Sequence, residues 1–238
     1  MATPLTRQHI TISKLRIVTH RSVAVSHNQI HIVPAASAER ADHPPLIADL
    51  VHATGPISYD YQFGADRRVL DAVVSASWKT PETLFAAAST TLAVIGEELA
   101  GVEIGFEGSQ FYSYKNNLGN LAGPLIESGA VTIEDLTGLA ERAGRASYLN
   151  AHVPEGVYYL HALSILPRFR GRRAGARLLE DALNRARRAG FNELQLDVLA
   201  DNPAIQFYRA IGLRVVVETV SPELSRDFGF PSELRMAI

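Results

Sequence analysis

The sequence predicts an α/β domain with a central mixed sheet. Residues 158–166 are apolar and rich in leucine and aromatic side chains, and they end at Pro167, which is the pattern of a buried strand. An amphipathic helical pattern follows after a short turn, and a second strand follows that helix. The composition, 47% hydrophobic and 20% charged, is ordinary for a globular domain. Alternating strands and helices in such a chain are typical of the α/β class.

The first 28 residues (1–28) form an N-terminal extension for which the sequence indicates no role. The stretch HITISKLRIVTH alternates weakly, and residues 23–33 favour a strand. An extra hairpin, an intersubunit arm and a loose tail all remain open interpretations.

Residues 29–238 are predicted to form a single domain. The elements predicted in its first part are a strand in IHIVPA, a helix at Pro44–His52, a loop in GPISYDYQFG, a helix at Arg67–Trp78, and a hairpin of strands Thr90–Ile95 and Leu99–Phe106. An insertion at about 107–156 follows. It contains a tyrosine- and asparagine-rich loop, QFYSYKNNLGN, and a helix at about Ile133–Ala143.

The turn Arg168–Gly175, between the apolar strand and its helix, has the composition of a phosphate-binding site. Backbone N–H groups at a helix N-terminus carry partial positive charge, and Gly171 and Gly175 allow a ligand to approach the backbone closely. Arginines at positions 168, 170, 172, 173 and 177 add positive charge at the same end. A solvated arginine cluster without a ligand is the alternative, and both interpretations stay open on this stretch alone. GRRAG has neither the Gly-Lys-Ser/Thr ending of a nucleotide triphosphatase loop nor the glycine spacing of a dinucleotide fold.

The chain beyond this helix continues with a strand and a short helix. Leu194, Leu196 and Val198 alternate with polar residues, which predicts a strand with one buried face. The residues 201–203, Asp-Asn-Pro, are a helix start signal, and Gly212 ends the helix. Tyr208 lies three residues from two isoleucines of this helix, so its ring is predicted to face the buried side.

These motifs together resemble the GNAT superfamily of acyl-CoA-dependent N-acetyltransferases. The resemblance rests on LHALSILPRFRGRRAGARLL, then LQLDVLADNPAIQFYRAIGL, then a closing strand ELRMAI. It implies a twisted, mostly antiparallel mixed sheet that is splayed at the cofactor strand and flanked by helices. The family's pyrophosphate motif, Gln/Arg-x-x-Gly-x-Gly/Ala, falls on residues 170–175 and places Arg173 where the first motif glycine is expected. A non-glycine residue is poorly tolerated at positive φ.

The resemblance also implies site residues. The residues implied in acetyl-CoA binding are Leu163, Ser164, Ile165, Arg170, Gly171, Arg172, Arg173, Ala174, Gly175, Ala176, Asn202 and Tyr208. Tyr208 is further implied as the acid that protonates the departing thiolate, and His161 stands where many relatives carry a glutamate base, with Glu103 in reserve. The alternatives are a structural hydrogen bond for the Tyr208 hydroxyl and for the His161 ring.

The implied function is transfer of an acetyl group from acetyl-CoA to a primary amine of a small molecule or peptide. A non-catalytic acyl-CoA-binding or sensing module is the alternative. The insertion is either an acceptor-binding segment or a stabilising cap over the sheet. A homodimer is a further candidate assembly.

Charge and composition set the remaining expectations. Residues 1–160 hold 11 Lys/Arg and 16 Asp/Glu, and residues 161–238 hold 12 and 9. The acidic part favours a cationic acceptor and argues against nucleic acid. The eight histidines show no metal spacing, so no metal is expected. No apolar stretch is long enough to cross a membrane, no secretory signal precedes the domain, and with zero cysteines a cytoplasmic location is expected.

Overall fold

The structure, a computed structural model, describes residues 29–37 and 44–238. The strand or hairpin considered within residues 1–28 lies outside these ranges. The strands are β1 (Ile30–Pro34), β2 (Thr90–Ile95), β3 (Glu98–Glu107), β4 (Tyr158–Ile165), β5 (Leu194–Leu199), β6 (Arg214–Thr219) and β7 (Glu233–Ala237). The α-helices are α1 (Pro44–His52), α2 (Pro56–Phe63), α3 (Arg68–Lys79), α4 (Phe111–Asn117), α5 (Ala122–Glu127), α6 (Ile133–Ala146), α7 (Ala174–Arg188), α8 (Ala204–Ile211) and α9 (Pro222–Phe228).

The seven strands form one sheet in the order β1-β2-β3-β4-β5-β7-β6. Five of the six neighbouring pairs are antiparallel, and β4 with β5 is the parallel pair. The helix α7 makes the crossover that a parallel pair requires. The predicted α/β class with a mixed, mostly antiparallel sheet is therefore confirmed.

The helices cover the two faces of the sheet separately. Helices α1 and α3 and the insertion pack on one face, which we call the insertion face; their core includes Leu50, Val74 and Leu121. Helices α7 and α8 pack on the opposite face, the α7 face, around residues such as Leu179 and Met236. Alternate strand residues contribute to one core or the other, which is the period of a sheet buried on both sides.

The β4 and β5 strands separate after a short contact. Their ladder has three residue pairs, from Tyr158 with Leu194 to Leu160 with Leu196, although β4 continues to Ile165 and β5 to Leu199. The sheet is thus splayed at this position, as the sequence resemblance implied. Main-chain groups on this edge of β4 beyond Leu160 are left without a strand partner, and they line a cleft through the sheet.

Two predicted loops are helical, so those predictions were wrong. GPISYDYQFG forms α2, which begins with Pro56 at a position that favours helix initiation. Its aromatic alternation arises because Tyr59 stacks near Phe63 on one side, at 6.0 Å, while Tyr61 packs on Phe228 at 4.7 Å. The QFYSYKNNLGN segment likewise contains α4, and with α5 and α6 the insertion forms a helical layer.

Candidate active site

The turn before α7 presents a run of unpaired backbone donors. The first main-chain bond of the helix runs from the Arg177 N–H to the Arg173 carbonyl, at 3.1 Å. The N–H groups of residues 171–176 donate to no main-chain or side-chain acceptor among the described residues. Because Gly171, with φ +76°, and the helix start turn the chain back on itself, these donors share one end of α7. Six adjacent N–H groups of this kind form an anion-binding surface.

Arg173 adopts the conformation that the sequence motif reserves for glycine. Its φ is 67° and its ψ is 8°, in the left-handed region. The arginine side chain therefore does not alter the backbone of the loop, although an L-residue there is strained by roughly 1–2 kcal/mol. The strain falls on an exposed residue within the run of unpaired donors.

The neighbouring arginines have distinct contacts. Arg168 pairs with Glu98 at 2.9 Å and lies over the Phe169 ring at 4.8 Å, while Arg172 lies over the same ring at 5.6 Å. Arg170 donates from Nε to the Ile165 carbonyl at 3.2 Å, so it holds the end of β4 against the turn. The buried Phe169 thus serves as a platform that positions two of the cations.

The start of α7 packs closely on the cleft. Ala174 is buried, Ala176 is half-buried, and Gly175 lies next to Ile165 and Phe207, where an added Cβ would stand 3.6 and 3.7 Å from their side chains. Those are ordinary contact distances, so the protein's own packing does not require glycine here. Phe207, which lies one residue before Tyr208 in α8, was not among the residues predicted to line the cleft. Its large aromatic side chain next to Tyr208 was the only sequence feature that could have indicated it.

The β4 residues implied in cofactor binding line the cleft. Leu163 and Ile165 are half-buried on the α7 face, and Ser164 is buried on the other side of the strand. Their backbone lies beyond the last residue pair with β5. The structure therefore brings these three residues and the donor loop to the same end of β4.

Asn202 lies just before the short helix α8, and Tyr208 lies in that helix on the α7 face. The Asn202 Oδ1 accepts from the Ala204 N–H at 2.9 Å, and its Nδ2 donates to the Thr54 carbonyl at 3.2 Å. Asn202 thus starts the helix and joins it to the loop between α1 and α2. Tyr208 is buried in the core that includes Leu160, and its hydroxyl makes no hydrogen bond within residues 29–37 and 44–238. Burial raises the pKa of Tyr208 to about 12, so the hydroxyl keeps its proton at neutral pH.

His161 is the extra residue of a β-bulge in β4. Ile104 pairs with Ala162 and Gly105 pairs with Leu160, so no residue of β3 stands opposite His161. Its ring packs on the insertion face among the aromatic rings of Phe85, Phe106, Phe111 and Tyr159. The buried Nε2 atom has no hydrogen-bond partner in the described part of the chain. Burial lowers the pKa of His161 to about 4, so the imidazole is neutral at neutral pH.

Glu103 has a structural position beneath α7. Its side chain is fully buried and forms an ion pair with Arg185, which also donates to the Tyr158 hydroxyl and bonds Asp181 at 2.9 Å. Burial raises the pKa of the Glu103 carboxyl to about 7, against the lowering effect of Arg185. Because it lies on the α7 face and has no exposed surface, Glu103 cannot receive a proton directly from an acceptor on the insertion face.

A polar network on the insertion face beside the cleft was missed by the sequence analysis. Arg235 is buried and donates to Asp197, to Gln195, and to two carbonyls of the loop before β4. Asp197 also accepts from the Tyr159 hydroxyl at 2.9 Å. Glu233 accepts from Asn150 at 2.7 Å. Burial, and then the neighbouring Asp197 carboxylate, raise the pKa of Glu233 to about 7.

Asp197 and Glu233 lie on the β5 side of the cleft. Two charged residues at alternate positions of the closing strand ELRMAI, Glu233 and Arg235, were the signal that one face of this strand is polar. Asp197 follows the last β4–β5 residue pair, at the point where the two strands diverge. Arg235 pairs with Asp197, so Glu233 is the carboxyl of this network that forms no ion pair within the described residues, and its raised pKa leaves it partly protonated at neutral pH.

The comparisons with known proteins agree with this architecture. Residues 129–213 match the model of the Acetyltransferase (GNAT) family. The N-acetyltransferase from Staphylococcus aureus Mu50 is 15% identical and has a TM-score of 0.65, over 87% of this chain and 100% of that chain. A structure described as an acetyltransferase is 18% identical with a TM-score of 0.60, over 87% of this chain and 97% of that one. At these identities the structural likeness shows the fold. No curated protein matches the sequence.

The splayed, seven-stranded sheet has the fold of the acetyltransferase structures to which this chain is similar. The match of residues 129–213 to the GNAT family model confirms the resemblance read from the motifs of the chain. These findings support acetyl transfer as the general reaction, with acetyl-CoA as the donor that this family uses.

Two further observations concern expectations drawn from composition. None of the described helices is both long and apolar enough to span a bilayer. Within residues 29–37 and 44–238, His, Asp and Glu side chains form no group of three or more that could hold a metal ion.

Proposed function

We propose that the protein moves an acetyl group from acetyl-CoA to a primary amine of a small molecule or peptide by direct transfer. The observation that carries the proposal is the run of six unpaired N–H groups at residues 171–176, placed at the end of the cleft between β4 and β5. A diphosphate offers the acceptor oxygens that such a run lacks. The unpaired main chain of β4 leads from there toward Tyr208, and it can hold an extended amide-bearing arm by backbone hydrogen bonds.

The two faces of the cleft suggest how the two substrates meet. The donor loop and α8 belong to the α7 face, so the acceptor approaches from the insertion face. The carboxylates Asp197 and Glu233 favour a cationic amine there. The aromatic rings around His161, including Phe111 of the insertion, give this side an apolar wall. The insertion in this proposal serves both as a cap and as part of the acceptor site.

The reaction forms the C–N bond and breaks the C–S bond of the thioester that acetyl-CoA supplies. Tyr208 is proposed to donate its proton to the departing sulfur, since its buried hydroxyl is protonated at neutral pH and has no partner among the described residues. The proton of the attacking amine passes to a base. His161 is one candidate, and its neutral, unpartnered Nε2 can accept a hydrogen bond from an amine, although a pKa of about 4 makes it a weak base.

Glu233 is the second candidate for the base, and the geometry adds it. Its carboxyl lies on the insertion face and its pKa of about 7 suits proton transfer near neutral pH. If Glu233 acts, kcat/KM rises with pH through about 7 and Glu233→Gln removes that limb. If His161 acts, the limb lies near pH 4 and is lost in His161→Phe. A profile that neither substitution alters assigns the base to water or to another group.

A binding experiment tests the cofactor assignment without an acceptor. A ligand that binds the native state raises the melting temperature by mass action. Millimolar acetyl-CoA is expected to raise the melting temperature. The analogue 3′-dephospho-CoA should raise it less, because it lacks the 3′-phosphate, and the loop has more arginines than the diphosphate alone needs as partners. An unmoved unfolding transition with acetyl-CoA contradicts the proposal. Turnover against a panel of primary amines then separates a transferase from a non-catalytic acyl-CoA sensor.

The Tyr208→Phe variant tests the proposed acid. It keeps the buried ring and removes only the donor, so folding and acetyl-CoA affinity should change little. The acetylation rate is expected to fall by roughly 10²-fold or more. Tyr61→Phe is the matched control, since Tyr61 also has a buried hydroxyl without a partner in the described ranges but packs on α9. An unchanged rate in Tyr208→Phe removes this residue from the chemistry, whereas equal losses of affinity and rate assign it to cofactor positioning.

A further inference from the structure

One side chain joins the two sides of the cleft at its open end. Asn202 comes one turn after β5, and its main-chain N–H donates to the carbonyl of Leu199, the last residue of that strand, at 2.9 Å. Its side-chain Nδ2 donates to the carbonyl of Thr54 at 3.2 Å. Thr54 is the middle residue of the short loop, 53–55, that connects α1 with α2. This bond therefore fastens the α1–α2 loop to the segment that starts α8.

Helix α2 lies across the opening between β4 and β5 on the insertion face. Ile57 and Tyr61, on one side of the helix, pack on the cluster that includes Leu199 of β5. Phe63, on another side, belongs to the insertion-face core, which includes Ala162 of β4. Both strand residues lie beyond the last β4–β5 residue pair, where the strands have separated. An acceptor that enters the cleft from the insertion face therefore passes beside α2.

The remaining hydrogen bonds of the loop stay within the α1–α2 pair. The Thr54 hydroxyl donates to the Val51 carbonyl at 2.7 Å, and the loop N–H groups donate to carbonyls of α1. His52 Nε2 and Asp60 Oδ1, which are 2.8 Å apart, join the two helices to each other. Among the described residues, Asn202 is the one that hydrogen-bonds this loop to another part of the protein. Removing its amide should free the loop without breaking up the helix pair.

The orientation of the Asn202 amide is fixed by two partners of opposite kind. Its Oδ1 accepts from the Ala204 N–H at 2.9 Å, while its Nδ2 faces the Thr54 carbonyl. Exchanging the oxygen and the nitrogen would place two donors against each other at Ala204 and two acceptors against each other at Thr54. The amide nitrogen therefore points to the α1–α2 loop.

We infer that Asn202 is a positioning residue for the acceptor, because it holds the α1–α2 loop, and with it α2, in place over the opening of the cleft. The inference rests on the proposed acetyl transfer, and it assigns the Asn202 amide to the acceptor side of the cleft instead of to acetyl-CoA. Helix α8 also carries Tyr208, so the same bond links α2 to the helix of the proposed acid. Loosening the loop should weaken binding of the amine and leave the chemical step intact.

Amide hydrogen exchange tests the structural part in the free protein. Asn202→Ser keeps an oxygen for the Ala204 N–H but is too short to reach Thr54. The loss of one such hydrogen bond is expected to speed exchange in α2 by about 2- to 10-fold through local opening. Asn202→Asp has the same size but sets an oxygen against the Thr54 carbonyl, so it should speed exchange at least as much.

The insertion offers a matched control. Asn117 Nδ2 also donates to a carbonyl distant in sequence, that of Glu82, at 2.9 Å. This bond joins α4 to the segment after α3 and does not involve the α1–α2 loop. Asn117→Ser therefore removes a bond of the same kind and should leave exchange in α2 unchanged.

Steady-state kinetics test the acceptor role, with an amine identified by the screen of primary amines. Asn202→Ser is expected to raise the KM for the amine by about 2- to 10-fold, while kcat and the Kd of acetyl-CoA stay within about twofold of wild type. A general loss of stability would not produce this pattern, because it changes the amount of folded protein and not its KM. Asn117→Ser should match the wild type in all three quantities.

The outcomes separate this inference from the proposed function. If Asn202→Ser weakens acetyl-CoA binding and leaves the KM for the amine unchanged, Asn202 is a cofactor contact and the inference is wrong. If exchange in α2 is the same in both Asn202 variants as in the wild type, the bond does not hold the loop. A wild-type chain that acetylates no amine contradicts the proposed function, and the acceptor role of Asn202 with it, before any variant is compared.

Discussion

Replacing Arg173 by glycine should stabilise the free protein while weakening cofactor binding. Arg173 has φ 67°, where an L-residue is strained by roughly 1–2 kcal/mol and glycine is not. The gain is offset by the greater freedom of glycine in the unfolded chain, about 0.4–1 kcal/mol. The net expectation is a stabilisation of about 0.5–1 kcal/mol. For a chain of this length that raises Tm by about 1–4 °C.

The effect of the lost guanidinium has the opposite sign and can be separated from that of the backbone. Arg173→Ala removes the same charge but retains Cβ, so it should weaken acetyl-CoA binding without stabilising the fold. Arg172→Gly removes a neighbouring charge at a residue that does not have positive φ, so it should destabilise by about 0.4–1 kcal/mol. Both variants are expected to bind acetyl-CoA more weakly than the wild type, as Arg173→Gly does.

The assay is thermal and denaturant unfolding of the three variants, each with and without acetyl-CoA, followed by cofactor titration. A rank order of Arg173→Gly above wild type above Arg172→Gly in the free protein supports the strained backbone at position 173. If Arg173→Gly is no more stable than Arg173→Ala, the left-handed conformation is not the source of strain. If all three bind acetyl-CoA as tightly as wild type, the arginines of the loop play no part in recognition.

Three further predictions concern buried groups. Gly105→Ala should destabilise by about 1–3 kcal/mol, because its Cβ would lie 2.4 Å from Glu103 Oε1, whereas Gly144→Ala in open space on α6 should be neutral or stabilising in the same denaturant titration. The pKa of His161 is lower in the folded protein than in the unfolded chain, so the free energy of unfolding of the wild type falls as the pH drops below about 6.5. His161→Phe should lack this loss and gain about 2 kcal/mol relative to wild type at pH 5. Parallel curves of unfolding free energy against pH for the two proteins would contradict this prediction. The pKa of Glu233 is raised in the folded protein, so its carboxyl disfavours folding increasingly as the pH rises from about 4.5 to 7. The unfolding free energy of Glu233→Gln should therefore gain about 1–3 kcal/mol relative to wild type over that interval, as measured by denaturant titration at each pH.

Most strands and the longer helices could be predicted because local pattern and tertiary context agree there. The helix Pro44–His52 and the strand Thr90–Ile95 have the predicted bounds, since period and end signals coincide. The α2 helix could not be identified in this way. Its two sides contact two different cores, and the resulting aromatic alternation imitates the period of a strand. Whether such a segment is a helix or a strand depends on the residues that its side chains contact in the folded protein, and these residues lie outside the local sequence.

In the candidate site, too, the features set by local sequence could be predicted, and those set by distant segments could not. The run of unpaired N–H groups before α7 was predictable because it depends on local backbone geometry, which follows from the glycines and the helix start. Glu233 as a proposed base was not predictable, because its raised pKa depends on burial and on a charge brought close from a distant segment. Glu233 and Asp197 are 36 positions apart in the chain, and their mutual effect exists only once β7 lies beside β5.

The bulge at His161 shows how one residue connects these two levels. Tyr158 and Leu160 face α7, and Leu163 and Ile165 also face α7, although an uninterrupted strand would place the second pair on the opposite face. The extra residue shifts the alternation by one. It therefore turns Leu163 and Ile165 toward the α7 face, while its own ring points into the aromatic cluster on the insertion face. By periodicity, residues 158–166 are one uniform apolar run, which predicts the strand but not this exchange of faces, on which the proposed placement of donor and acceptor on opposite faces depends.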